Sequence, residues 1–181
     1  MNKDTLLIHR MKNGDENAIE QFVTKYYPTI LRYCRLHISD MYEAKDITQD
    51  TFERFFRKFE GYREYGKALN YLYVIAANTC KDYYKKRKEL LPGELPEPPT
   101  NNINSVYNTD NTIMIDARID IKAALQKLPE ECREVTILHF FQGLKLREIA
   151  TILNIGLPLV KYRIQKAKKE LERDLRKEDY L

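Results

Sequence analysis

Hydrophobic residues recur along this chain mostly at three- and four-residue intervals, the spacing that places them on one face of an α-helix. A short first helix is predicted from residue 4 or 5 to residue 13, because Gly14 follows it. Asp15 has the character of an N-cap for a long second helix that runs to Ile38. Pro28 lies inside this second helix and should kink it or restart it.

Two further helices are predicted over Glu43–Phe59 and Lys67–Lys88, with a loop rich in glycine and aromatic residues at 61–66 between them. Their apolar positions form stripes that should turn toward a common core. The side chains expected to face inward are Ile47, Thr51, Phe52, Phe55, Phe56, Phe59, Leu69, Leu72, Ile75, Ala76 and Cys80. The first 90 residues therefore predict one small helical domain.

The composition changes after residue 90. Residues 91–102 contain four prolines, and proline cannot continue a helix. The stretch that follows, to about residue 112, is rich in Asn, Thr and Ser, which is typical of flexible linkers. Helical patterns then resume at about 113–128, Pro129–Phe141, 146–153 and 157–175, with Gly143 ending the second of these. The chain is thus predicted to be all-α, with helical domains at 1–90 and 113–181 joined by a flexible Pro/Asn-rich linker over 91–112.

Charge and composition exclude several classes of protein. The net charge is +4 over residues 1–90, −4 over 91–120 and +4 over 121–181. No apolar run approaches the roughly 20 residues that a membrane-spanning helix needs, and the N-terminus becomes charged too early for a signal peptide. The cysteines are too far apart for a disulfide framework or a zinc knuckle; they are Cys34, Cys80 and Cys132. We therefore expect a cytoplasmic protein whose thiols form no disulfide and bind no metal, with no direct membrane insertion.

The last two predicted helices carry the strongest local signal. Apolar stripes on both helices flank the short connection Asn154–Gly156, a spacing typical of a helix-turn-helix, whose second helix lies in the DNA major groove. Residues 161–169 contain five basic side chains and no acidic one, as phosphate contacts would require. The candidate DNA-contacting residues are Lys161, Tyr162, Arg163, Gln165, Lys166 and Lys169. The alternative is a plain helical hairpin with a solvated basic face.

A second basic stripe lies on the fourth predicted helix, at Asn78, Lys81, Lys85 and Lys88. Tyrosines are interleaved with it, and others lie in the preceding loop. Cations beside aromatic rings suit single-stranded nucleic acid, because an unstacked base gains about 1–3 kcal/mol on an aromatic face. The candidate binding residues are Tyr62, Tyr65, Tyr71, Asn78, Lys81 and Lys85. The alternative is that about half of the tyrosines belong to the core.

The third predicted helix has the opposite character. Asp46, Gln49, Asp50 and Glu53 recur on one face, and Asp50 is expected to point into solvent. This acidic face is open to three interpretations: a carboxylate metal site, a docking surface for a basic partner helix, or ordinary solvated surface. The metal site is disfavoured because the histidines are scattered along the chain.

No pattern of a catalytic nucleophile with its base, and no zinc signature, is found. Residues 61–67 match a phosphate-binding loop, but Ala68 stands where that loop needs a hydroxyl and no strand precedes it. We therefore predict that the protein is not an enzyme and needs no cofactor.

Taken together and in order, these segments resemble an RNA polymerase sigma factor of the extracytoplasmic-function group, in the sigma-70 superfamily. Residues 46–52 resemble the core-polymerase-binding segment, and residues 71–78 with 82–87 resemble the promoter-melting helix. Residues 128–131 and 133–135, then 143–144, 148–150 and 160–163, resemble the domain that reads the upstream promoter element. The resemblance covers both predicted domains, with a degenerate linker between them.

This resemblance implies a division of labour. The acidic face at Asp46, Gln49, Asp50 and Glu53 would dock on basic helices of core RNA polymerase. The loop at 61–68 and the following helix would capture a base flipped out of the −10 element of promoter DNA, while the last helix would read the −35 element as duplex. An anti-sigma factor is a further candidate partner. The alternative is a stand-alone helix-turn-helix regulator, which leaves the acidic face without a role.

The sequence departs from the family pattern at four positions that bear on these assignments. Tyr71 stands where the family usually has Trp, and Ala77 where it usually has Arg. Gly156 and Leu159 replace a Ser and a Thr at the start of the recognition helix. The first replacement gives up a hydroxyl cap, and the second a hydroxyl that could touch phosphate, so −35 recognition is expected to be weaker or unusual.

Overall fold

The structure is a computed structural model that describes residues 3–38, 40–63, 67–90 and 123–178, with no side-chain description at 3, 88, 90 and 174–178. Every regular element within these ranges is helical, so the all-α prediction is confirmed. The chain divides into two compact units, residues 1–94 and 95–181, and each is described here by itself. The predicted linker at 91–112, the helical pattern at 113–122 and Tyr65 lie outside the described residues.

The first unit consists of four helices: α1 Lys3–Lys12, α2 Glu16–His37, α3 Met41–Arg57 and α4 Ala68–Leu90. Side chains cap two of their N-termini. The Asp15 carboxylate accepts from the Ala18 amide at 3.1 Å, and the Asp40 carboxylate accepts from two amides in the first turn of α3. Because Asp40 satisfies these free N–H groups, α3 begins two residues earlier than predicted.

Proline does not interrupt α2. The helix continues through Pro28 for nine further residues to His37, so of the two predicted outcomes, a kink or a restart, the restart does not occur. Residues on both sides of it, Tyr26 and Ile30, are buried in the core. Tertiary packing of this amphipathic face stabilises the helix where the local preference of proline opposes it.

The core of the first unit is rich in aromatic rings. Phe22 of α2 stacks on Phe55 of α3 with ring centroids 4.9 Å apart, and Tyr33 of α2 meets Tyr73 of α4 edge-on at 5.4 Å. Of the side chains predicted to face inward, all are buried except three that are half-buried, Phe56, Phe59 and Leu69. Buried threonines on α3 satisfy their hydroxyls by donating to the carbonyl one turn earlier, as Thr51 does to Ile47 at 2.8 Å.

In the second unit, helical residues 123–127 are followed by α5 Glu130–Thr136, a π-helical segment Ile137–Phe141, α6 Leu146–Leu153 and α7 Leu157–Glu178. The sequence pattern predicted one helix over Pro129–Phe141, and the chain is helical from Glu130 to Phe141, but its last turn is π-helical. Residues 134–138 are all buried, which one face of a regular helix cannot achieve. Widening the turn accommodates them, and Gly143, at φ +69°, follows.

Arg133 of α5 makes hydrogen bonds to the segment that precedes α5. Its guanidinium donates to the carbonyls of Leu125, Gln126 and Leu128 at 2.9–3.0 Å. These carbonyls stand at and just past the C-terminal end of the helical residues 123–127, where carbonyls lack the usual partner four residues later in the helix. A single side chain of α5 therefore caps the preceding helical turn.

Candidate functional site

The acidic face predicted on α3 is present on the surface of the first unit. Asp46, Gln49 and Glu53 are exposed, and Asp50 is half-buried. The Gln49 amide donates to the Glu53 carboxylate at 3.0 Å, an i,i+4 contact that favours one orientation of Glu53. We call Asp46, Gln49, Asp50 and Glu53 the α3 face.

Asp50 faces solvent only in part, because a neighbouring side chain holds it. Arg54, one turn later, holds its carboxylate with two bonds, Nε to Oδ1 at 3.1 Å and Nη2 to Oδ2 at 2.9 Å. The remaining guanidinium nitrogen of Arg54 donates to Asp82 of α4 at 2.7 Å. Asp82, and then Asp50, raise the pKa of Arg54 above its ordinary value. The i,i+4 spacing of Asp50 and Arg54 in the sequence already indicated that these two side chains could form an ion pair.

An aromatic column lies between the end of α3 and the first turn of α4. Tyr62 lies between Phe59, at 6.4 Å and 19° between ring planes, and Tyr71, at 5.1 Å and 20°. We call Phe59, Tyr62 and Tyr71 the aromatic column. Lys12 of α1 donates to the Tyr62 carbonyl at 2.5 Å and lies 5.9 Å from the centre of the Phe59 ring. The structure thus brings together two predicted tyrosines, Tyr62 and Tyr71. It adds Phe59 and Lys12, which the sequence analysis had not named as candidate binding residues.

Along α4, the predicted stripe is exposed at Asn78, Lys81 and Lys85. The tyrosines near it have separate roles. Tyr73 is fully buried, and burial raises its pKa to about 12. The Tyr84 hydroxyl donates to the His37 carbonyl of α2. These two tyrosines therefore pack the unit, as the alternative interpretation expected for part of the set.

The helix-turn-helix of the second unit is closed by a left-handed residue. Asn154 adopts φ 52° and ψ 47° after the end of α6, a conformation that asparagine tolerates better than most residues. The next residue, Ile155, donates its amide to the Ala150 carbonyl at 3.0 Å. Buried Val160, Ile164 and Ala167 then fix one face of α7 against its own unit.

The opposite face of α7 is polar and accessible. Lys161, Tyr162, Gln165 and Lys169 are exposed, and Arg163 and Lys166 are half-buried at its edges. Tyr162 is 59% exposed, although it is a large aromatic residue. We call these six residues the α7 face. All six predicted residues thus lie clear of the buried face.

Other chemistry has little support among the residues that the structure describes. They contain no group of three His, Cys, Asp or Glu residues that could hold a metal ion, and none of their helices has the length and apolarity to cross a membrane. The three cysteines are buried free thiols. A hydrogen bond with Cys80 is the main cause that lowers the pKa of Cys34, and burial raises that of Cys132.

Comparison with known families places these surfaces in context. Residues 22–89 match the family Sigma-70 region 2, and residues 118–171 match Sigma-70 region 4, which together span about two thirds of the chain. The chain belongs to the sigma-70 family. The α3 face, the aromatic column and the α4 stripe all lie in the region 2 match, and the α7 face lies in the region 4 match. Helix α1, with Lys12, precedes both.

Relatives of this sigma-70 family member cover nearly its whole length. It is 29% identical over 177 residues to the ECF RNA polymerase sigma factor SigW of Bacillus subtilis, covering 93% of this chain and 95% of that one. It is 26% identical over 188 residues to the RNA polymerase sigma-H factor of Pseudomonas aeruginosa, covering 96% and 94%. Its resemblance to the extracytoplasmic-function group is confirmed.

Solved structures show the same fold. The sigma factor RpoE of Bartonella quintana, crystallised with the anti-sigma factor NepR, matches with a TM-score of 0.73 at 20% identity, covering 87% of this chain and 96% of that one. CnrH, in complex with the cytosolic domain of CnrY, matches with a TM-score of 0.71 at 20% identity, covering 94% and 95%.

Proposed function

We propose that this sigma factor binds core RNA polymerase through the α3 face and directs promoter-specific initiation of transcription. It would capture −10 bases with the first unit and read −35 duplex with the second. The observation that carries the proposal is the pairing, in family order, of an acidic helix face in region 2 with a basic helix face in region 4. Such a protein works where polymerase and DNA are found, in the cytoplasm, without catalytic residues of its own.

The α3 face suits a basic protein partner. Carboxylates with fixed orientation can accept bidentate bonds from arginine, which adds geometric specificity to the attraction between opposite charges. Gln49 orients Glu53, and Arg54 orients Asp50. Docking would therefore cost little side-chain entropy on this side of the interface.

The aromatic column suits an unstacked base. Extruding a base from duplex DNA costs a few kcal/mol, and stacking on an aromatic side chain returns about 1–3 kcal/mol per base. Tyr62 and Tyr71 are already stacked on each other, so a base would add to the column at its Tyr71 end without separating the two rings. Asn78, Lys81 and Lys85 would contact the strand that leaves it, the lysines through its phosphates, and we retain Tyr65 as a further candidate.

The α7 face suits duplex DNA. Tyr162 and Gln165 project between cationic neighbours, so polar and aromatic groups would meet base edges while Lys161, Arg163, Lys166 and Lys169 contact phosphates. Leu159, where the family usually has Thr, is 40% exposed at the start of the helix. It offers an apolar contact there in place of a hydroxyl.

The test is transcription with purified components. Core polymerase and the full chain would be incubated with a library of randomised duplexes, and the transcripts sequenced. We expect initiation that depends on the chain and an enriched motif of two separated blocks. Duplex binding by the chain alone, without polymerase binding or initiation, would instead favour the stand-alone helix-turn-helix regulator.

An anti-sigma factor is a proposed additional partner. The matching structures of RpoE and CnrH were solved with NepR, an anti-sigma factor, and with the cytosolic domain of CnrY. Co-purification of this chain with a protein that blocks initiation in the same reconstituted system would identify such a partner.

A further inference from the structure

A three-residue charge network links α3 to α4. Arg54 contacts Asp50 through two nitrogens and Asp82 through the third, at 2.7–3.1 Å. The side chains of Arg54, Asp50 and Asp82 are 36%, 40% and 61% exposed. Most surface ion pairs contribute little to stability, but bidentate geometry and networks are the exceptions. All three nitrogens of the guanidinium are engaged, which fixes its position.

We propose that Arg54 is a positioning residue for polymerase docking: anchored on α4 by Asp82, it holds the Asp50 carboxylate in the orientation that the polymerase recognises. This inference rests on the proposed docking role of the α3 face. An aspartate on a helix surface normally samples several rotamers. The arginine fork restricts Asp50 to one of them, while the exposed 40% of its side chain stays available to a second cation.

Simple electrostatics gives the opposite expectation, which makes the proposal easy to test. Removing Arg54 makes the α3 face more negative, so attraction to a basic partner should increase if charge alone decides affinity. If Arg54 acts by orienting Asp50, its removal should decrease affinity. The sign of the change therefore separates positioning from net charge.

The experiment is a titration of fluorescently labelled full chain with core polymerase. We expect Arg54→Met to raise Kd about tenfold, which corresponds to about 1.4 kcal/mol. Asp82→Asn should raise it about two- to threefold, because the anchor on α4 is weakened while Asp50 and Arg54 stay paired. Arg57→Met is the matched control, since it removes the same charge from an exposed position on the same helix; its Kd should be unchanged or slightly lower.

Arg54→Lys provides a second test in case the Arg54→Met variant does not fold. Lysine keeps the charge but cannot make the bidentate contact, so we expect its Kd to lie between those of wild type and Arg54→Met. Thermal unfolding of each variant would show whether it is folded at the assay temperature; if Arg54→Met is not, Arg54→Lys decides. A Kd at or below the wild-type value for the deciding variant, or an unchanged Kd for Asp82→Asn, overturns the proposal. If Asp50→Arg also binds normally, the docking face itself is wrong, which is a separate failure.

Discussion

In the first unit, carboxylates on the α3 face are held by neighbouring side chains, Asp50 by Arg54 and Glu53 by Gln49. In the second unit, the side chains of Lys161, Tyr162, Gln165 and Lys169 on the α7 face are exposed and make no hydrogen bond or ion pair within the residues described. The α3 face thus presents carboxylates with hydrogen-bond partners, and the α7 face presents four long side chains that have none among the described residues.

This difference fits two kinds of partner. A protein partner presents charges at fixed positions, so orientation adds affinity and specificity. DNA presents a regular row of phosphates, and mobile lysines can neutralise it with release of counterions. Binding through the α3 face should therefore depend on geometry, and binding through the α7 face on salt concentration.

The largest expected effect is the loss of affinity for core polymerase when the α3 face is altered. Asp50→Arg should lower affinity for core polymerase by at least about 100-fold, because like charges placed opposite each other cost several kcal/mol. The new side chain would also meet Arg54, so a moderate fall in melting temperature is expected. Glu60→Arg is the matched control, since Glu60 is an exposed acid of the same unit outside the α3 face. Wild-type polymerase affinity in Asp50→Arg would show that docking occurs elsewhere.

The aromatic column should give the next largest effect. Tyr71→Ala removes one end of the column and should shorten the lifetime of open complexes about tenfold, given about 1–3 kcal/mol for each stacked base. Binding of a duplex that contains only the −35 block should not change. Tyr71→Phe retains the ring and should behave like wild type. Open complexes of normal lifetime in Tyr71→Ala would exclude base stacking on this residue.

Substitutions on the α7 face should mainly change the salt dependence of DNA binding. Lys166→Ala should weaken binding to promoter duplex at all sequences and reduce the slope of log K against log salt by about one unit. Lys168→Ala serves as control, because the Lys168 ammonium lies 5.6 Å from the centre of the Phe140 ring of its own unit. Equal slopes for wild type and Lys166→Ala would remove Lys166 from the phosphate contacts.

The smallest expected effect concerns the acid stability of the first unit. Arg10, which bonds Asp15 at 2.8–2.9 Å, and then the Ala18 amide hold the pKa of Asp15 below its ordinary value of 3.8. Because the folded pKa is depressed, the stabilisation is complete above the ordinary value and is lost as pH falls through the folded pKa. Asp15→Asn should lower the melting temperature slightly at neutral pH, and the difference from wild type should narrow at acid pH. A difference independent of pH would show that the cap, and not the charge, stabilises this turn.

Much of the fold could be predicted from local pattern. The period of apolar positions, together with Asp15 as N-cap and Gly143 as terminator, indicated the helices, because both signals act within one or two turns of chain. The sequence left open whether α2 kinks or restarts at Pro28, and it did not indicate the π-helical turn at Ile137–Phe141. At both places, packing against distant residues outweighed the local preference.

The same distinction between local sequence pattern and tertiary packing applies to the candidate surfaces. Sequence by itself determined which residues share a helix face, and hence that α3 is acidic and α7 basic, because helical geometry converts spacing into position. Only the tertiary structure decided that Tyr62 stacks between Phe59 and Tyr71, and that Asp82 of α4 meets Arg54 of α3. These contacts join residues from different elements, and their geometry depends on how the helices pack, which no local spacing specifies.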